Sequence, residues 1–147
     1  MFGSAGSLDS DKTTGKFVIP IESYREEGMS YHYAEPSNYI KIRNYQIVKS
    51  IFDNLGFPNV TGKVWTTDAI YRETKAKFDA RKKEGCIAVE MELAGVQAVC
   101  DFYGWELYDF LVTGDVLDQA VYDVSGLADA NHNMDKLYVA IEIAKRI

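Results

Sequence analysis

Two cysteines, three prolines and two histidines are all that this chain of 147 residues contains of those types. Cys86 and Cys100 lie in apolar stretches with no CxxC pattern and no Cys/His cluster beside them, so they read as small hydrophobes and not as metal ligands or a redox pair. Long apolar runs are missing too. No segment approaches the length of a membrane span, and the opening "MFGSAGSLDSDKTTGK" has neither the basic nor the continuous apolar region of a secretory leader, which implies a soluble cytoplasmic protein. Basic charge is scarce: 16 Lys and Arg stand against 22 Asp and Glu, a formal net charge of −6. No broad cationic surface is therefore available to a nucleic acid or an anionic membrane, although a few local donors could still hold a small anion.

What the chain does have is apolar content, 47% hydrophobic and 13% aromatic, enough for one sizeable core and a single domain over residues 1–147. "KFVIPIESY" (16–24) is rich in β-branched and aromatic residues and predicts a strand, with Pro20 requiring an edge or a bulge. "REEGMSYHYAEPSNY" has no steady period and reads as a long functional or oligomeric loop. From about Lys41, Ile47, Val48, Ile51, Phe52 and Leu55 share one helical face, and Gly56 with Pro58 ends that helix. "VTGKVWTT" predicts a strand, and the charged "DAIYRETKAKFDARKKEG" predicts a largely exposed helix stopped at Gly85.

"CIAVEM" predicts a compact strand, and "ELAGVQAVCDFYG" a helix whose Leu93, Val96, Val99 and Cys100 face inward. "WELYDFLVTGD" supplies another strand. From about Asn131 a last helix places Met134, Leu137, Tyr138, Ile141 and Ala144 on one apolar stripe. Strands alternating with helices imply an α/β layer architecture around a mainly parallel or mixed sheet, with ligand sites at the strand ends.

One such end is chemically unusual. "AVEME" delivers Glu90 and Glu92 around Met91 where a strand gives way to a helix, and carboxylates there need partners. Either a bend presents all three to a sugar, whose hydroxyls suit carboxylates and whose apolar face suits a thioether, or the acids serve a helix N-terminus and Met91 is core.

"AVEMELAGVQAV" resembles the "VEMEAAG" signature of the nucleoside phosphorylase family, which includes hexameric-type purine nucleoside phosphorylases and uridine phosphorylases. "GSAGSL", "GKFVIPIESYREEGMSYHY", "TTDAIYRE" and "LVTGDVLD" fall in the family's order, so the resemblance covers nearly the whole chain. It implies a three-layer α/β/α sandwich with a mixed central sheet. It also implies phosphorolysis, in which inorganic phosphate as co-substrate converts a nucleoside to free base and pentose 1-phosphate, with no metal or organic cofactor.

By resemblance, Glu92 takes the ribose hydroxyls, Met91 packs under the sugar and Glu90 supports the site. Ser4 matches the family's phosphate-binding Ser/Thr; without the resemblance, "GSAGS" reads as a flexible terminus. Asp115 stands where purine-cleaving members carry an aspartate that protonates the base, a role that needs burial to raise its pKa, and its plain alternative is a turn residue. Ile70 and Tyr71 align with a base-pocket wall or are ordinary core. His32 and Tyr33 resemble an "HF" element of the uridine enzymes, with a structural histidine as the alternative. Arg25 and Arg72 read as a solvated face, or as ligands of phosphate or of a subunit partner.

The family's first strands and its first glycine-rich phosphate loop with its arginine have no counterpart in these 147 residues, and Met1 stands where an arginine precedes the "G-S/T-x-G" element. The chain by itself is therefore expected to be a poor enzyme. It is expected to be the C-terminal part of a nucleoside phosphorylase fold from a truncated gene, to be completed by another chain, or to be a nucleoside-binding or structural module. An uncovered sheet edge and apolar face are expected to drive homo-oligomerisation. For the base, Thr74 and Ala76 replace the uracil-reading Gln and Arg, and Asp115 favours purines. "REEGMSYHY" nonetheless tilts the overall texture to a uridine phosphorylase-like member, with purine nucleosides as the close alternative.

Overall fold

A nine-residue stretch rich in Val, Thr and Trp runs through the middle of the sheet in the computed structural model, which describes residues 1–119 and 121–147. They form β4 (Asn59–Thr67), parallel to β2 (Phe17–Glu26) on one side and to β5 (Cys86–Glu90) on the other. The sheet runs β3-β2-β4-β5-β1-β6, with β1 at Phe2–Ser7, β3 at Tyr39–Lys41 and β6 at Phe110–Val116. β6 also returns to pair antiparallel with the start of β2 (Phe17↔Val112, Val18↔Leu111), so the strands from β2 round to β6 close into a ring. That closure confines the expected uncovered edge to β3, which alone has an open side among the described residues.

Pro20 shows how the ring accommodates a residue without an N–H. Its strand is no edge, but Pro20 sits between the stretch of β2 that pairs with β6 and the stretch that pairs with β3, and the register against β4 shifts between Pro20 and Glu22. The missing donor therefore falls where one side of the strand has no neighbour. "GSAGS" is likewise no flexible end. It lies in β1, parallel to β6 and antiparallel to β5, and its small residues permit that close three-strand packing.

Helices cover both faces of this mixed sheet. On one face, α4 (Leu93–Tyr103) sets Leu93 and Cys100 against Ala5, Val18, Val64, Ala88 and Leu111. On the other, α2 (Tyr45–Leu55) and α6 (Met134–Ala144) enclose Phe17, Ile19, Val48, Phe52, Phe110 and Val139, with the Phe52 ring 5.0 Å from Phe17 and 5.1 Å from Phe110. Each such buried aromatic contributes about 2 kcal/mol from area alone. α2 starts four residues later than expected because Lys41 belongs to β3, and Gly56 closes it at φ 74°. α3 (Lys75–Lys83) has no buried residue, in accord with its charge. Two short helices complete the count: α1 (Ser10–Thr13) and α5 (Leu127–His132).

Two helical faces differ from their sequence pattern. In α4 the buried positions include Ala94, Gly95, Gln97 and Ala98, while Val96 and Val99 are half-buried. Small side chains let the helix approach the turn at Met29–His32, where a Cβ on Gly95 would come 3.0 Å from Met29 Cε. In α6 the expected stripe points outward: Met134, Leu137, Tyr138 and Ile141 are 46–73% exposed, and Val139 and Ile143 make the sheet contact.

The long loop after β2 is tied down by Arg25, which is buried and not part of a solvated face. Its Nε donates to Ser30 Oγ at 2.8 Å, its Nη1 to Glu35 O at 2.7 Å and Ser37 Oγ at 3.0 Å, and its guanidinium lies 4.2 Å from the centre of the Tyr31 ring. Replacing Arg25 with Ala strands these acceptors and opens a cavity, so we expect a loss of about 3 kcal/mol in urea unfolding. A stability change within experimental error would show that water replaces the guanidinium.

Candidate functional site

The ring closes around a floor that has no side chain. Gly6 in β1 lies opposite Val89 of β5 and Asp115 of β6, and a Cβ there would come 2.6 Å from Leu117 Cδ1, 3.0 Å from Val89 Cγ1 and 3.2 Å from Asp115 Oδ2. Over this floor lies a cleft of 610 Å³. Ser4, Ala5 and Gly6 contribute from β1, Val89 to Glu92 from the end of β5, and Asp115 and Leu117 from the end of β6. The segment after β4 adds Ile70, Tyr71 and Glu73, and Tyr122 and Leu127 close the remaining side. Ser4, Glu90, Met91, Glu92, Asp115, Ile70 and Tyr71, assigned by resemblance to phosphate, sugar and base, all line this one cleft. His32, Tyr33, Arg25 and Arg72 do not line it; Tyr33 instead packs against Phe102, with ring centres 5.6 Å apart.

The bend at "EME" is built by Glu90. Its Oε2 accepts the backbone N–H groups of Glu92 at 2.8 Å and Leu93 at 2.7 Å, and its Oε1 accepts the Thr66 hydroxyl. Thr66 Oγ1 in turn accepts the Ala94 N–H at 3.1 Å. Glu90 thus satisfies the orphan donors at the start of α4 from within the protein. Burial pushes its carboxyl up to about 7, against the opposing pull of those hydrogen bonds.

Because Glu90 does the capping, Met91 and Glu92 are left on the cleft side, both exposed, and the Glu92 carboxylate has no hydrogen bond or ion pair among the described residues. The two readings of "EME" divide between its acids: one serves the helix end, the other faces the cleft.

At the far wall Asp115 Oδ2 accepts the Tyr122 hydroxyl at 2.7 Å. That bond, together with burial and the charges of Asp115 and Glu73, pushes the phenol up to about 12, so it remains a donor. Asp115 belongs to β6 and not to a turn; the preceding Gly114 is needed because a Cβ there would come 2.8 Å from Ala130 Cβ and 3.0 Å from Leu127 Cα. Glu73 was hidden in the sequence by the charged run around it. Burial first, and then the charges of Asp115 and Glu26, raise its carboxyl to about 7. Ile70 is half exposed and Tyr71 almost wholly so, which makes them wall and rim, not core.

Ser4 donates to Asn131 Oδ1 at 2.6 Å, so the C-terminal helices reach the β1 end of the cleft. The lining itself carries four acids (Glu73, Glu90, Glu92 and Asp115) and no lysine or arginine. Among the described residues no three His, Cys, Asp or Glu side chains are grouped so as to hold a metal ion, and no helix is long and apolar enough to cross a membrane.

Comparisons with known proteins bear on the family and the fold. The model of the phosphorylase superfamily matches residues 1–147. A DeoD-type purine nucleoside phosphorylase of Caldanaerobacter subterraneus subsp. tengcongensis is 26% identical over 150 residues, which cover 97% of this chain and 62% of that protein. The chain thus spans about three-fifths of the length of that curated relative.

Among solved structures, the purine nucleoside phosphorylase of Toxoplasma gondii in complex with immucillin-H superposes with a TM-score of 0.79 at 19% identity, over 97% of this chain and 60% of that one. A futalosine hydrolase mutant of Helicobacter pylori gives 0.77 at 17% identity, over 99% and 67%. Both likenesses establish the fold, an α/β sandwich with a mixed central sheet. The whole-length family match, on a chain whose "EME" bend, β1 glycines and β6 acid meet in one cleft, shows that this protein belongs to the phosphorylase superfamily.

Proposed function

We propose that the cleft binds a nucleoside, with purines favoured, and supports cleavage of its N-glycosidic bond by phosphate. The observation that carries this reading is the pairing of an unpartnered Glu92 carboxylate with exposed Met91 at one wall and the Glu73, Asp115 and Tyr122 group at another. Glu92 would accept hydrogen bonds from the ribose hydroxyls, which strengthen as the ring gains oxocarbenium character, and Met91 would pack against the sugar face. Glu90 would act indirectly, by holding the bend that presents them. Ile70 and Tyr71 would flank the base, and the acid pair would meet its ring nitrogens. Ser4 would donate to phosphate.

Support for purines comes from the relative named above and from Asp115 with its neighbour Glu73; the uridine tilt of the sequence finds no support in that comparison. Incubation with inosine, adenosine, uridine and thymidine, with and without phosphate, tests the reading. We expect phosphate-dependent release of purine bases and a fall of about 100-fold or more in Glu92→Ala. Equal release without phosphate would indicate hydrolysis. Nucleoside binding without release would reduce the role to a binding module, and absence of both would refute the assignment.

A further inference from the structure

Lys136 lies in the first turn of α6 with only 7% of its surface exposed, yet among the described residues no carboxylate pairs with it. Its Nζ is 3.5 Å from Ser4 Oγ and 3.4 Å from the Asn131 carbonyl oxygen. A buried ammonium with only weak neutral acceptors is costly to keep charged, and burial accordingly pulls its proton affinity below the usual lysine range. The amine touches the one hydroxyl of the cleft assigned to an anion, while the cleft lining carries no cation of its own. A tetrahedral oxyanion at Ser4 would supply the missing counter-charge and accept from both groups.

We propose that Lys136 is the cation of an oxyanion subsite at Ser4, delivered by α6 from behind β1. This rests on the reading of Ser4 as a phosphate donor and names the charge that reading lacks. Asn131, which accepts from Ser4 at 2.6 Å, holds the hydroxyl and must release it for Ser4 to donate to the anion. The same chemistry fits free phosphate and the phosphate ester of a nucleotide.

Titration of the full chain with inorganic phosphate, followed by 31P NMR and thermal unfolding, tests the assignment, with AMP as a second arm. Phosphate is expected to bind and raise Tm in the wild type, and Lys136→Met is expected to bind it at least tenfold more weakly. Because methionine removes an unpaired buried charge while keeping most of the volume, its Tm without phosphate should equal or exceed the wild-type value. Binding of AMP alone, lost in Lys136→Met, would assign the subsite to an ester phosphate. Equal phosphate affinity in both proteins would overturn the role of Lys136 and leave nucleoside cleavage standing. Base release with no phosphate or AMP binding in the wild type would overturn the subsite and point to hydrolysis.

Discussion

Glu73→Gln is expected to slow base release by about 100- to 1,000-fold while leaving the KM for nucleoside within a few-fold, and to abolish the alkaline limb of the kcat profile. A departing purine carries electron density that a proton must neutralise, and the donor has to be protonated at working pH. Burial and two neighbouring negative charges hold the Glu73 carboxyl near 7, so about half of it remains protonated at neutrality. Activity should therefore fall as pH rises through about 7 in the wild type, since deprotonation removes the donor. Asp115 is occupied as the acceptor of Tyr122 and contributes the charge that keeps Glu73 protonated.

Asp115→Asn should then shift the alkaline limb to lower pH, because one of the charges that raises Glu73 is gone. A wild-type rate and an unchanged limb in Glu73→Gln would exclude Glu73 as donor. A carboxyl 13C titration of Glu73 with its midpoint in the ordinary glutamate range would do the same without any turnover.

Asp109→Asn is expected to stabilise the protein at pH 8 by several kcal/mol and to leave it nearly unchanged at pH 4. Asp109, immediately before β6, is 1% exposed, and neither carboxylate oxygen has a hydrogen-bond partner among the described residues. Burial pushes its carboxyl up to about 8, against the pull of the Met1 ammonium and with a smaller contribution from the charge of Glu90. The unfolded chain releases this proton near pH 4, the folded one near 8, so between those values folding must retain a proton that the solvent would take. Stability from this group is complete below about pH 4 and is lost as pH rises toward 8, at up to about 1.4 kcal/mol per pH unit.

Urea unfolding at pH 5, 6.5 and 8 measures that slope. Asparagine should reduce it by one proton, and the remainder should persist because Glu90, raised to about 7, titrates in the same sense. An identical slope in variant and wild type would show that Asp109 is ionised in the fold.

Local pattern made much of this protein legible. β-branched runs marked β2, β4 and β5, Gly56 ended α2 at a positive φ, and the charge of α3 announced its exposure. Motif order brought Ser4, Ile70, Tyr71, Glu90, Met91, Glu92 and Asp115 into view, and all line one cleft. These features depend on the residue and its near neighbours in the chain, which is the information a sequence carries directly.

Other features were decided only by long-range packing. Glycine-rich β1 has little intrinsic preference for a strand and becomes one because β5 and β6 flank it. The stripe of α6 shows perfect helical spacing, yet periodicity does not state which face meets the sheet; Val139 and Ile143 took that place. Glu73 looked like one more solvated acid, and only the approach of β6 placed Asp115 beside it. Lys136 is 132 positions from Ser4 in the chain and within 3.5 Å of it in space. The sequence by itself determined β2, β4, β5, α2 and α3 and the chemistry of the motif residues, because propensity and motif are local. Tertiary structure decided which acids are raised and which cation lies beside Ser4, because burial and charge proximity exist only after the ring has closed.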